Sequence, residues 1–301
     1  MSAAGAFTVE RVDYAAALPA LRSVRETVFV QEQAVPLELE WDELDPHCRH
    51  VLARDNAGRP IGTGRLTPEH KIGRMAVLAE WRGRGVGDAL LRGLLDEARA
   101  LGWHKVSLNA QSSAVGFYVR HGFLPYGEPF VEAGIDHQAM QLLLDAPNPV
   151  ETHAGALAAL LGVIGQARRE LHIYSRELDP GLLDAPEVIA ALRRFATSGG
   201  AAQVLLQDPI TPQRSLAPLI GLGQRLPSAL AFRAIEEPTD RAYPSAYVVN
   251  DRGGYYFRPL GHRFDGETRL DGAARARQLL GTFDPVWQRA RPCTEYRALG
   301  I

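Results

Sequence analysis

The sequence predicts two α/β domains in series, the first built on a mixed sheet, and three observations lead there. In the first half, a strand pattern runs through a glycine-rich loop into an amphipathic helix, from Lys71 to Leu101. The stretch Leu144-Asp145-Ala146-Pro147-Asn148-Pro149-Val150, with two prolines, then breaks the pattern, and strand-like and helix-like spacings alternate again from Thr152 onward. At ~100–200 residues per domain, 301 residues with 46% hydrophobic side chains suffice for two cores. The expected division is residues 1–145, a linker at 146–150, and residues 151–301. No fixed-period repeat and no low-complexity tract argues otherwise.

Taken in order, Phe7 to Val12 reads as a strand, and Leu18, Leu21, Val24 and Val28 give Ala15 to Gln31 a helical spacing. Strands at His50 to Arg54 and Pro60 to Leu66 flank the turn Asp55-Asn56-Ala57-Gly58 and form a hairpin. A strand from Lys71 to Leu78 precedes the glycine-rich loop. The helix that follows, Gly85 to Leu101, carries Val86, Leu90, Leu91, Leu94, Leu95, Ala98 and Leu101 on one side, with Gly102 placed as its C-terminal stop. A strand at Lys105 to Ala110, a short helix at Ala114 to His121 and a strand at His137 to Leu143 complete the domain. In the second domain, helices at Gly155 to Ala167 and Pro186 to Ala196 alternate with strands at Leu171 to Ser175 and Gln203 to Leu206. Strands at Tyr247 to Asn250 and Gly254 to Phe257 then surround the turn Asp251-Arg252-Gly253, and a helix from Asp271 to Arg289 follows.

Charge narrows the partners. Lysine and arginine number 33 against 35 aspartate and glutamate, a net charge of -2, so no basic field favours nucleic acid or an anionic membrane. Met1 to Glu10 lacks the basic and apolar regions of a leader, and no run of about 18 apolar residues occurs. A cytoplasmic protein acting on a small-molecule or protein partner is the expectation, with a homodimer left open. Cys48 and Cys293 lie far apart and outside any CxxC spacing, so neither a disulfide framework nor a zinc site is expected.

Chemistry concentrates in Arg82-Gly83-Arg84-Gly85-Val86-Gly87. Glycines let a backbone approach phosphate closely, the first turn of the following helix offers unpaired N–H groups, and its dipole and the two arginines favour negative charge. The spacing is neither GxGxxG nor GxxxxGK[ST], which points away from dinucleotides and nucleoside triphosphates and toward the pyrophosphate of coenzyme A.

Together with Ile72-Gly73-Arg74-Met75-Ala76-Val77, Leu108-Asn109-Ala110-Gln111 and Phe117-Tyr118-Val119-Arg120-His121-Gly122-Phe123, this loop resembles the GNAT N-acetyltransferase superfamily. The resemblance spans residues 7–145 and extends to Arg25-Glu26-Thr27-Val28-Phe29-Val30-Gln31-Glu32-Gln33 and to Glu132-Ala133-Gly134-Ile135-Asp136-His137-Gln138-Ala139-Met140. It implies acetyl-CoA as acyl donor, without a metal. Ala76 and Val77 would pair through backbone with the pantetheine arm, and Arg82, Gly83, Gly85 and Gly87 would hold the pyrophosphate. Tyr118 matches the tyrosine that protonates the departing thiolate.

Acetyl transfer also needs an oxyanion donor and a base for the amine. Backbone N–H groups at Val77 and Leu78 suit the first, and Asn109 suits the pantetheine. Glu32, Glu40, Glu132 and His137 are base candidates, of which Glu132 and His137 are preferred. The stretch Trp41-Asp42-Glu43-Leu44-Asp45-Pro46-His47-Cys48-Arg49-His50 fits no closed zinc spacing, and its acids are read instead as an attraction for a cationic acceptor. The alternative to an enzyme is a non-catalytic acyl-CoA-binding module whose output lies in the second domain.

The second domain has a faint resemblance to a phospholipase D-like half-domain. That family requires a histidine and a lysine ahead of an aspartate, and if Asp251 is the aspartate those positions hold Pro244 and Ala246. Hydrolysis by that route is not expected. Arg176, Asp179, Asp208, Arg233 and Arg258 are read as either a remnant pocket or ordinary strand-end polar residues.

Overall fold

The structure, a computed structural model, describes residues 6–296; the first five residues, part of the stretch read for a leader, and the last five lie outside the described residues. The chain forms two sheets in two compact units. One unit comprises the residues up to Ser112 together with Gly127–Asp145; the other comprises Ser113–Tyr126 and the residues from Ala146 on. The fold class expected from the sequence is the one observed. Among the described residues no helix is long and apolar enough to cross a membrane.

In chain order the first elements are β1 (Phe7–Val12), α1 (Tyr14–Arg25), α2 (Leu37–Glu40), β2 (Arg49–Asp55), β3 (Pro60–Leu66), β4 (Lys71–Val77), α3 (Val86–Ala100) and β5 (Lys105–Gln111). Next come α4 (Val115–Val119), β6 (Leu124–Pro125), β7 (Phe130–Glu132) and β8 (Ile135–Leu143). The first unit's sheet runs β1-β2-β3-β4-β5-β8, with β7 hairpinned onto β8. All neighbours are antiparallel except β4 and β5. Helix α3 turns Val86, Leu90, Leu91, Leu94, Leu95 and Ala98 inward, as its spacing predicts, whereas Leu101, expected on the same side, is its C-cap and stands exposed. It can lie close on β3 because Gly62 and Gly64 have no side chain: a Cβ there would stand 2.9 Å from Leu90 Cδ1 and 2.9 Å from Leu94 Cδ1 respectively.

The helix expected over Ala15 to Gln31 stops at Arg25 and widens into a π-helical turn, Glu26–Glu32, where Gln33 N donates to Val28 O (3.2 Å). The run Thr27-Val28-Phe29-Val30 is rich in β-branched residues that crowd a regular helix. The wider turn seats Val28 and Phe29 against Ala76 and Leu78 at the end of β4.

The second unit continues with β9 (Asn148–Val150), α5 (His153–Gln166), β10 (Glu170–Ser175), α6 (Pro186–Thr197), β11 (Ala201–Leu206), α7 (Ile210–Arg214) and α8 (Pro218–Arg225). After these come β12 (Leu230–Ala234), α9 (Pro238–Arg241), β13 (Ala246–Asn250), β14 (Tyr255–Arg258), β15 (Gly266–Arg269), α10 (Ala273–Arg289) and β16 (Arg291–Pro292). Its sheet order is β16-β12-β11-β10-β13-β14-β15-β9, parallel only across β10, β11 and β12. Residues 148–150, expected within a linker, are thus an edge strand paired with Gly266–Thr268. Helix α10 packs Leu279, Phe283 and Trp287 into a cluster with Tyr174, Leu205 and Tyr247. Helix α5 is buried along most of its length, as expected of a helix apolar on every side. Among its neighbours in this unit are α4 and β6. A Cβ on Gly162 would stand 3.0 Å from the carbonyl oxygen of Val119, so α5 and α4 touch through backbone.

Candidate acetyl-CoA site

The end of β4 is the centre of the first unit's site. Strands β4 and β5 pair only at Lys71↔Ser107 and Ile72↔Leu108, and beyond that point β4 has no ladder partner on this side. A bulge opposite Gly64, with Arg74 at φ 49°, turns the strand there. Leu78 N donates to Ile61 O (3.0 Å), and Ala76 lies opposite Thr63. Because an antiparallel strand alternates its bonding edge, Val77 directs its N–H and C=O away from β3, into the gap beside β5. The pattern yields what a pantetheine amide or an oxyanion needs: backbone groups at a fixed edge.

Gly83 and Gly85 follow at φ 73° and φ 84°, left-handed conformations that strain any other residue, and nothing lies within 4 Å of where their Cβ atoms would be. Gly85, the N-cap of α3, makes no side-chain cap hydrogen bond at the positive end of this 15-residue helix. These features fit the pyrophosphate of an acyl-CoA. Arg82 is arranged differently from the expectation. Its Nε donates to Val77 O (3.0 Å), and Nη1 and Nη2 donate to the two carboxylate oxygens of Glu32 (2.6 Å each). Three of its five donors are therefore committed to bracing the loop. Arg84 lies over Trp81, 5.3 Å from the ring centre.

Glu32 is thereby removed from the base candidates, since the hydrogen bond from Arg82 holds its pKa below the usual carboxylate value. Gln33, next to it, accepts from Gln111 Nε2 (2.9 Å), tying the π-helical turn to the end of β5. Gln111 faces His137 in the β5–β8 ladder. His137 is half-buried, stacks on Phe130 with ring centres 5.8 Å apart, and its Nδ1 lies 2.8 Å from Ile135 O. A carbonyl only accepts, so in the neutral ring Nδ1 carries the hydrogen and Nε2 keeps its lone pair. Glu132, exposed on the same hairpin, accepts from Asn109 Nδ2 (3.2 Å). Tyr118 belongs to the segment grouped with the second unit. It is buried, edge-on to Phe117 and Phe123 at 5.0 and 5.8 Å, and burial pushes its hydroxyl up to about 12.

The acidic stretch is not an attraction for a cationic acceptor. Glu40, Asp42 and Asp45 meet the guanidiniums of Arg25, Arg65 and Arg74, three against three. Asp45, fully buried, accepts from Arg25 Nη1 (2.8 Å) and Arg65 Nη1 (2.6 Å); Glu40 accepts from Arg25 Nε (2.5 Å). Burial would raise the pKa of Asp45, but its hydrogen bonds and charge contacts with the two arginines hold it below the usual value. For Glu40, burial wins and the pKa is raised. Arg25 also stacks on Trp41 at 4.1 Å, His50 Nε2 bonds Asp45 O (2.8 Å), and Cys48 donates to Leu44 O (3.2 Å). The sequence does not reveal this cluster, because its arginines come from α1, β3 and β4 with no spacing that links them to the acids.

In the second unit the five polar residues divide, although Asp208 N still donates to Arg176 O (2.8 Å). Arg176, Asp179 and Arg258 line one cavity; Asp208 accepts from Ile210 N (2.8 Å) and Thr211 Oγ1 (2.8 Å) at the start of α7; Arg233 donates to Trp287 O (2.6 Å) in an apolar groove elsewhere. Asp251 binds the backbone N–H groups of Arg168 and Arg169 (2.9 and 3.0 Å), a turn-closing role.

A backbone edge opened by diverging strands, leading through a glycine loop to a glycine-capped helix, defines an acyl-CoA-type transferase domain. The comparisons with known proteins identify it: the chain belongs to the GNAT acetyltransferase family, whose domain model matches residues 15–144. Over 121 residues it is 40% identical to the uncharacterized N-acetyltransferase YjcF of Bacillus subtilis, a stretch covering 39% of this chain and 86% of that one. It is 31% identical over 138 residues to protein YyaT of the same organism, covering 44% and 93%. A solved acyl-CoA N-acyltransferase from Pseudomonas aeruginosa is 30% identical, with a TM-score of 0.42, covering 45% of this chain and 99% of that one. Residues 152–299 match a model described as a domain of unknown function, DUF7931, and the phospholipase D-like resemblance finds no support.

Proposed function

We propose that the protein is an N-acetyltransferase that moves an acetyl group from acetyl-CoA to an amine by direct attack. The observation that carries this reading is the glycine-capped N-terminus of α3 behind Gly83 and Gly85, beside the open edge of β4. Family membership supports it. Acetyl-CoA supplies the thioester. Gly83, Arg84, Gly85, Val86 and Gly87 hold its pyrophosphate by backbone and charge, Arg82 braces that loop, and the free edge of Val77, between Ala76 and Leu78 whose own backbone is turned to β3, aligns the pantetheine with Asn109. The Val77 N–H stabilises the oxyanion formed as the amine nitrogen bonds the carbonyl carbon. His137 Nε2 takes the amine proton, with Glu132 as the alternative acceptor. As the carbon–sulfur bond breaks, Tyr118, kept protonated by its burial, donates its hydroxyl proton to the thiolate.

Calorimetry with acetyl-CoA tests the donor, and thiol release over a panel of amines tests the reaction. Binding is expected in the wild type and weakened in Gly85→Asp, which obstructs the loop and adds a repelling charge. Tyr118→Phe is expected to bind acetyl-CoA normally and to lose turnover by about 10²-fold or more. No binding sinks the proposal; binding without turnover of any amine favours the acyl-CoA-binding module.

A further inference from the structure

The second unit holds a cavity of about 100 Å³ at the C-terminal ends of β10 and β14, lined by Arg176, Glu177, Asp179, Arg258, His262 and Arg263, among others. We infer that this cavity binds a small oxyanion, either free inorganic phosphate or the phosphate end of a larger metabolite.

Its size admits little more than ~3 waters' share of liquid volume, so a whole drug-sized ligand is excluded and a compact charged group is not. Three guanidiniums and two carboxylates line the cavity, with Asp208 close to Arg176. One of those carboxylates, Asp179, is committed to Arg258 Nη2, with both side chains buried. Arg258 Nη1 donates to Gly261 O and Arg263 O (3.2 Å each), which anchors the loop after β14. Its Nε and the second hydrogen on Nη2 have no protein partner among the described residues. Arg176 and Arg263 stand exposed at the rim, Arg263 bridged to Asp265 (2.7 Å), where they can close over a bound anion.

The backbone is held for this arrangement. Leu178 and Asp179, neither a glycine, sit at φ 64° and φ 41°, a conformation that costs ~1–3 kcal/mol per residue and recurs at ligand sites. Ser175 Oγ accepts from Leu178 N (2.9 Å), and Leu182 N donates to Asp179 O (2.9 Å), fixing the bend that turns Asp179 inward. An apolar pair would hold the loop as well as a buried ion pair does, so retaining the charges suits a role in binding. β10 and β14, both antiparallel to β13, bring their carboxyl ends to the same edge of the sheet.

The test is calorimetry with inorganic phosphate on the full chain carrying Gly85→Asp, so that the α3 loop does not contribute. Saturable binding is expected, and Arg176→Ser, an exposed rim change that leaves the buried pair intact, should weaken it about tenfold or more. A phosphomonoester that binds tighter than inorganic phosphate identifies the end of a larger ligand; equal or weaker binding identifies free phosphate. Absence of binding at millimolar phosphate, or an affinity unmoved by Arg176→Ser, overturns the assignment.

Discussion

Asp45 accepts hydrogen bonds from two arginines while wholly enclosed, and this sets what its loss does. Removing one partner of a buried ionic network strands the others in low dielectric, at a cost of about 3–5 kcal/mol. Asp45→Ala is therefore expected to lower the unfolding free energy from urea titration by that much, and Asp45→Asn, which keeps an acceptor, by clearly less; equal and small losses would show that Arg25 and Arg65 find other partners. At this scale the sequence was informative where backbone geometry demands a residue type and silent where partners converge from distant elements. Gly83 and Gly85 were legible because left-handed backbone beside a phosphate selects glycine. The commitment of Arg82 to Glu32, fifty positions earlier, was not, since nothing local to either residue encodes the other.

Among elements, the strand–loop–helix unit of β4 and α3 was readable from apolar periodicity alone, and the end of α1 was not. Periodicity continued to Gln31, whereas the crowded Thr27–Val30 run and the side chain of Arg25, drawn into the ionic cluster, favoured a wider turn. Short strands such as β9 and β16 fell below the length at which alternation can be recognised. Helix α5 was expected from the sequence only as a helix at Gly155 to Ala167, and its glycines mark a contact. In Gly162→Val the new side chain would meet the Val119 carbonyl, which as backbone cannot rotate aside. A loss of about 1–3 kcal/mol is expected, together with faster amide exchange in α4. Gly165→Ala, whose Cβ would lie 3.7 Å from Arg120 Cγ, should change little. Similar effects from both substitutions would refute the close approach.

For the molecule as a whole, buried histidines set a pH dependence. Burial lowers the pKa of both His50 and His172 below the ordinary 6.5, and His172 Nδ1 has no hydrogen-bond partner. Below that value the unfolded chain takes up protons that the folded one refuses, so this part of the stability is complete above pH 6.5 and falls as the pH drops. Glu40 and Asp179, whose pKa values are raised, act in the opposite sense. The histidine contribution is isolated by comparison: between about pH 8 and pH 5 the urea midpoint of the wild type should fall more than that of His172→Leu. Parallel falls would remove His172 as the cause. The two α/β regions themselves were legible from the break near Pro147 and Pro149. What the sequence could not disclose is that Ser113–Tyr126, inside the stretch matched by the acetyltransferase model, groups with the second unit. Linear order says nothing about which core a short segment joins.

That excursion of the chain bears on how the protein is made. On a ribosome adding ~5–20 residues per second, α4 and β6 emerge some seconds before α5, and longer still before β15, which must arrive to pair with β9. Until then α4 lacks the contact with α5 that it makes in the folded unit. The segment carrying Phe117, Tyr118 and Phe123 is thus synthesised before α5, the helix that α4 packs against in the folded unit.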